Sequence, residues 1–223
     1  MKLILLGPPG SGKGTQAQKI EQKYNLKQLA TGDLLRDEIK SESKIGREVK
    51  KIIDRGELVS DKIIISLIEN SIDKKKFSTG FILDGFPRSV CQAKALDKIL
   101  QKKNLALDIA IELLVEDKKL INRIVGRFSC ANCSAVYHDF DNKTKKAGIC
   151  DKCGSSDFLR RSDDTKEVFA ERLKEYYRLT APIIPYYKDK GMLKSINAMK
   201  SISYIKNNIY GILDSVKKTE LAN

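Results

Sequence analysis

The chain has 223 residues, with 42 Lys+Arg against 29 Asp+Glu, a formal charge of +13, five Cys, one His and no Trp. With 41% apolar and 32% charged residues it is neither a disordered nor a fibrous sequence, and no run approaches the roughly 20 apolar residues of a membrane span. The length suits one large domain, or one domain carrying small insertions, that buries roughly 70% of its unfolded surface and needs no disulfides.

The apolar part of the N-terminus, up to Leu6, is too short for a signal peptide and has no small-residue cleavage pattern. A cytoplasmic protein is expected, in which cysteines are metal ligands or free thiols. The positive charge has two readings. It suits a nucleic-acid binder, or a lysine-rich surface around a site for small polyanions. Only ten of the 42 basic residues are Arg. Arg is the side chain suited to bidentate phosphate recognition, so the places where those ten fall carry information.

Taken in chain order, short apolar runs alternate with longer helical patterns. Lys2 to Leu6, Phe81 to Leu83, Leu107 to Leu114 and, more weakly, Met192 to Ile196 read as strands buried on both faces. Helical periodicity covers Lys13 to Lys23, Asp61 to Lys74, Ser89 to Lys103, Glu116 to Arg127, Asp164 to Thr180 and Ser201 to Val216. Thr31 and Ser60 stand where N-caps belong, and Pro182 and Pro185 punctuate the end of the helix before them. The polar tail beyond Val216 is expected to fray. Alternating strands and helices predict an α/β fold with a parallel sheet. From Phe128 to Arg161 the helical period disappears, which marks a small inserted module.

Gly7-Pro8-Pro9-Gly10-Ser11-Gly12-Lys13-Gly14-Thr15 follows the first strand and opens the first helix. In that context glycines let successive backbone N–H groups face a phosphate, the helix terminus adds partial positive charge, and Lys13 supplies a point charge. The general phosphate-loop pattern places Ser or Thr directly after the Lys; here Gly14 intervenes before Thr15.

Inside the inserted module, Cys130, Cys133, Cys150 and Cys153 form two C-x₂-C pairs separated by sixteen residues. That spacing suits a four-thiolate zinc site, closed and therefore structural. A redox pair or four unrelated thiols are the alternatives. Gly154 allows a positive φ after the second pair, whereas Ser134 stands at that place after the first. Cys91 reads as a buried free thiol. His138, the single histidine, reads as a structural or packing residue.

The loop Gly7 to Gln16 resembles that of nucleoside monophosphate kinases. Thr31-Gly32-Asp33-Leu34-Leu35-Arg36, Gly56-Glu57-Leu58-Val59-Ser60-Asp61, Asp84-Gly85-Phe86-Pro87-Arg88 with Gln92, Arg123-Ile124-Val125-Gly126-Arg127, and Arg161-Ser162-Asp163-Asp164 with Arg172 resemble the adenylate kinase family. These matches keep their order over nearly the whole chain, and six of the ten Arg fall on them.

The resemblance implies a phosphate-loop nucleoside-triphosphatase-type parallel sheet flanked by helices, with core segments 1–29, 60–125 and 164–223. It implies an AMP-side helical flap over 30–59 and a zinc-binding lid over 126–163. It implies transfer of a phosphoryl group from ATP to AMP to give ADP, with Mg2+. Gly10, Ser11, Gly12, Lys13, Gly14, Thr15, Arg123, Arg127, Val136, Tyr137 and Lys200 would serve ATP. Thr31, Arg36, Glu57, Leu58, Val59, Gly85, Phe86, Pro87, Arg88 and Gln92 would serve AMP. Arg161 and Arg172 would also serve AMP and surround the transferring group, Asp84 would orient Mg2+ through water, and Lys13, Arg88, Arg123, Arg161, Arg172 and Asp84 would form the catalytic set. No general base is needed, because the acceptor is already a phosphate oxygen. A monomer is the default expectation. A kinase for GMP, UMP or CMP, or a zinc-ribbon nucleic-acid-binding ATPase, are the alternatives. Against the last, no aromatic residues interleave with the basic ones.

Overall fold

The computed structural model describes residues 1–41, 44–55, 59–73 and 77–222, with the backbone alone at 44–45 and 218–222. Its central sheet has five strands, β1 (Lys2–Leu6), β2 (Lys27–Ala30), β3 (Phe81–Asp84), β4 (Ile109–Leu114) and β8 (Leu193–Asn197). The strand order is β2-β3-β1-β4-β8, and every pairing is parallel.

The apolar runs explain which strands lie at the centre. Leu3 and Leu5 of β1 pack into one core with Ile82, Ile111, Ile205 and Ile209. Ile4 and Leu6 pack on the opposite face with Leu83, Phe86, Leu96 and Tyr187. A strand covered on both faces needs apolar side chains at every position, which is why β1 carries no alternation. The edge strands differ. β2 buries only Leu29 fully and β8 only Ile196.

Helices α1 (Lys13–Tyr24), α4 (Asp61–Ile72), α5 (Val90–Lys102), α6 (Asp117–Val125) and α7 (Lys166–Glu175) stand close to their expected places. A π-helical turn, Tyr176–Thr180, extends α7. Three features depart from expectation. β2 and α8 (Ile183–Asp189) arise where neither was expected. Pro185 lies in the first turn of α8, where its missing N–H costs no helical bond. Helix α9 (Ile202–Ala222) continues past Val216. Helices α2 (Thr31–Lys40) and α3 (Lys44–Asp54) fill much of the segment beside the sheet edge.

Two local readings are corrected and one is refined. Thr31 does not cap α2: Ala30 occupies the cap position, and the Thr31 hydroxyl donates to Gly85 O at 2.9 Å. Ser60 does occupy the N-cap position of α4, but its side chain makes no cap bond. Cys91 is exposed, because α5 turns Gln92, Ala93 and Leu96 inward and leaves position 91 outward.

The inserted module is a second, three-stranded sheet of β5 (Arg127–Cys130), β6 (Val136–His138) and β7 (Phe158–Leu159), antiparallel throughout. His138 ties it to the main body. Its Nδ1 accepts from the backbone N–H groups of Phe140 and Asp141, so Nε2 carries the proton and donates to Asn122 O at 2.8 Å.

Candidate active site

The carboxyl ends of the parallel strands share one edge, the usual place for ligands in such sheets. Gly7 leaves β1 at φ +140°, and a Cβ there would lie 2.9 Å from Leu113 O of β4. Only glycine fits that turn. No side chain caps α1, whose preceding residue Gly12 is left-handed. The first-turn N–H groups of α1 are therefore available to an anion.

Lys13 Nζ donates to Gly7 O at 2.8 Å and Pro8 O at 2.9 Å, and lies 3.4 Å from Ser11 Oγ. The ammonium is folded onto the loop's own carbonyls. Burial pulls its pKa down to about 8, Asp84 offsets part of that, and Arg88, Arg127 and Arg172 reinforce it.

Asp84 ends β3 in register with Leu5 of β1 and Ala30 of β2. Its Oδ2 accepts from Gln28 Nε2 at 2.8 Å. Burial pushes this carboxyl up, while Lys13 and Arg88 hold it down. The next residue, Gly85, is left-handed at φ +77°, and a Cβ would stand 2.9 Å from Thr31 Oγ1 and 3.0 Å from Arg88 Nη2. Gly85 O accepts from both Thr31 Oγ1 and Arg88 Nε, the latter at 2.7 Å. Phe86 is buried, and its peptide bond to Pro87 is cis.

A pocket opens beside this edge, lined by Thr31, Leu35, Arg36, Ile53, Val59, Ile64, Gly85, Arg88, Gln92 and Arg172. It joins an apolar wall to three guanidiniums and one amide. Arg88 is pulled down to about 10 by burial and by Arg172, with Asp84 opposing. Arg161 falls to about 10 through burial and the proximity of Arg127 and Arg36. Two buried carboxylates aim the remaining arginines. Asp163 pairs with Arg172, and Asp164 accepts from Arg127 Nε at 2.8 Å and also from its Nη2. Arg36 pairs with Asp33, and Arg123 Nη1 donates to Ala198 O at 3.1 Å.

The structure thus brings together Lys13, Asp84, Arg36, Arg88, Arg127, Arg161, Arg172, Thr31, Val59, Gly85 and Gln92. Gly10, Ser11, Gly12, Gly14 and Thr15 complete the loop around Lys13. Glu57 and Leu58 lie outside the described residues. Lys200 is exposed on the β8–α9 connection. Val136 begins β6. The Tyr137 side chain is turned inward, with its hydroxyl 3.3 Å from Cys150 Sγ and accepting from Asp151 N at 2.8 Å. Asp61, Asp163 and Asp164 stand in segments that the resemblance covers, but the sequence gives neither them nor Gln28 an orienting role, because their partners are brought to them by the fold.

The four expected cysteines converge, with all sulfurs within 4.8 Å of one another. Cys130–Cys153 and Cys133–Cys150 approach to 3.5 Å. These distances are far too long for disulfides and close to the roughly 3.8 Å edge of a tetrahedron with ~2.3 Å zinc–sulfur bonds. The two turns match. Ser134 (φ +57°) and Gly154 (φ +76°) are left-handed and return their N–H groups to Cys130 O and Cys150 O. Burial raises Cys150, but the Tyr137 hydroxyl and the N–H groups of Cys153 and Lys152 outweigh it and bring the thiol to about 6. Burial pushes Cys133 to about 12. The cluster fits a zinc site.

The adenylate kinase family model matches residues 5–192. The chain belongs to the adenylate kinase family. An adenylate kinase of Allorhizobium ampelinum is 48% identical over 216 residues, covering 97% of this chain and the relative's whole length. Adenylate kinases of Rhizobium rhizogenes and Paramagnetospirillum magneticum are 47% and 46% identical, each over 97% of this chain and all of their own length. The parallel sheet, its flanking helices and the cysteine-bearing insertion are thus those of an adenylate kinase family member.

The depressed Lys13 amine predicts a proton linkage. The empty site releases this proton near pH 8, below the ordinary lysine value of 10.5, whereas a bound triphosphate favours the charged form. ATP binding should therefore take up a proton between about pH 8 and 10.5, and affinity should weaken as pH rises through that window. Calorimetry in buffers of different ionisation enthalpy measures the uptake; zero uptake contradicts it.

Proposed function

We propose that the protein transfers the γ-phosphoryl group of ATP to AMP reversibly, giving two ADP, with Mg2+ accompanying ATP. The observation that carries this reading is the convergence of the Lys13 loop and five guanidiniums on one cleft, beside a pocket with an apolar wall and the Gln92 amide. In the reaction the bond between the γ-phosphorus and its bridging oxygen breaks as a phosphate oxygen of AMP bonds to that phosphorus. ADP leaves with the electron pair, and no proton need move. The protein's work is alignment and charge neutralisation in a site that excludes water.

Residues divide this work by position. The backbone of the phosphate loop and Lys13 hold the ATP phosphates, with Arg123 and Arg127 from the far side. Arg36 and Arg88 hold the AMP phosphate, and Arg161 and Arg172 follow charge as it shifts between oxygens. Asp84 offers a hard oxygen donor that suits Mg2+ and its waters, and Gln28 fixes the carboxylate's orientation. The metal's contribution is to neutralise and orient the terminal phosphates. The apolar wall of Leu35, Val59 and Ile64 suits a purine ring. Segment 30–59 serves as the AMP-side flap and 126–163 as the lid, whose closure excludes water. Guanidiniums gathered inside a cleft favour small polyanions over a nucleic-acid track. One chain supplies all these groups, which favours a monomer, and the clustered thiols suit the reducing cytoplasm.

With ATP and Mg2+, a panel of AMP, GMP, UMP and CMP tests this reading. AMP should give the highest kcat/KM by at least a factor of about 100. Preferred turnover of another monophosphate, or hydrolysis stimulated only by nucleic acid, contradicts it.

The four thiolates are read as holding one structural Zn2+, remote from the transferring group. Metal analysis should find one zinc per chain. Chelation, or Cys130→Ala, should lower Tm by loosening the module. A metal-free protein whose Tm is indifferent to both treatments contradicts the assignment.

A further inference from the structure

Gln92 lines the nucleotide pocket from the first turn of α5 and is only 2% exposed. Its Oε1 accepts from the backbone N–H of Arg88 at 2.7 Å, and its Nε2 donates to Asp61 Oδ1 at 2.7 Å. The peptide N–H can only donate, and an ionised carboxylate can only accept. Between them they determine which end of the amide is oxygen. Ser89 completes the assembly: its hydroxyl contacts Asp61 Oδ2 at 3.3 Å and accepts from Gln92 N at 3.1 Å.

Each partner uses one of the two acceptor sites on Oε1 and one of the two hydrogens on Nε2. The amide edge that remains offers one acceptor at the oxygen and one donor at the nitrogen, in a fixed order. A 6-amino purine presents a donor at its exocyclic nitrogen beside an acceptor at N1. A 6-oxo purine presents the reverse order at the same two places. An amide locked in one orientation pairs with the first and opposes the second, whereas an amide free to turn over pairs with either.

We propose that Asp61, together with the Arg88 backbone N–H, sets the base preference of the phosphoryl acceptor by holding the Gln92 amide in the orientation that reads a 6-amino purine and rejects a 6-oxo purine. Asp61 is a positioning residue that acts through Gln92. The proposal rests on the reading that Gln92 meets the base of the acceptor nucleotide.

The test is a competition in which the full chain, with ATP and Mg2+, acts on equal initial concentrations of AMP and GMP in one vessel, and the initial rates of AMP and GMP consumption are quantified, because ATP leaves ADP in both transfers. The ratio of the two rates is independent of the amount of folded enzyme, so a poorly folding variant still reports. Asp61→Ala removes one of the two bonds that hold the amide and leaves the Arg88 N–H as its single anchor, and Asp61→Asn replaces the carboxylate with a group that accepts or donates. In both, the preference for AMP over GMP should fall about tenfold or more, chiefly through faster turnover of GMP. An unchanged ratio in both variants, with the two substrates slowed equally, overturns the proposal. Gln92→Leu separates the two levels. If it abolishes the preference while the Asp61 variants keep it, the lock alone fails. If it too leaves the ratio unchanged, the underlying reading of Gln92 fails.

Discussion

Arg36, Arg88, Arg127 and Arg172 stand close enough at one sheet edge to disturb the protonation of Lys13, Arg88 and Arg161. Burial and mutual repulsion pull the Lys13 amine to about 8 and the Arg88 and Arg161 guanidiniums to about 10. Such an arrangement is unfavourable in an empty site and favourable around polyanions. Most other features of the molecule can be understood as holding these groups in place against their own repulsion.

The support is layered. The middle strands β1 and β3 are packed on both faces, so the turns that leave them are fixed in position. Gly7 and Gly85 let those turns curl where any side chain would collide. Three acids then work at short range. Asp84 lies beneath Lys13 and Arg88, and the buried pair Asp163 and Asp164 orient Arg172 and Arg127. Each acid offsets part of the positive field without abolishing it. The adjacent pocket adds a different kind of constraint, an apolar wall with a single amide whose polarity is fixed by its neighbours.

The strands with continuous apolar runs were legible because burial on both faces leaves a pattern in the sequence. β2 was not, because an edge strand such as Lys27-Gln28-Leu29-Ala30 needs only one buried side chain. α8 was masked by Pro182 and Pro185, which punctuate one helix and begin another. At the site, the phosphate loop and the cysteine pairs were readable as local spacings. The arginines stood out because few of the basic residues are Arg. The orienting partners were less legible: Asp163 and Asp164 stand in a matched segment that does not show which arginines they meet. Gln28 reaches Asp84 across 56 residues and Asp61 reaches Gln92 across 31. Those contacts are created by parallel pairing and helix docking, not by any motif. Cys91 and Thr31 show the opposite failure, where a plausible local role yields to the direction in which an element happens to face.

The central claim is that the cleft's positive charge is held for nucleotide binding at the expense of the empty fold. Arg88 allows the most direct measurement. Its Nε bond to Gly85 O is duplicated by Thr31, and Asp84 keeps Lys13 as a neighbour. Thermal unfolding of the nucleotide-free Arg88→Met variant, paired with its AMP turnover, weighs the two roles. The account predicts a Tm equal to or above that of the parent, with AMP turnover reduced by about a hundredfold or more. A lowered Tm with turnover retained would identify Arg88 as a structural ion-pair residue and contradict the account.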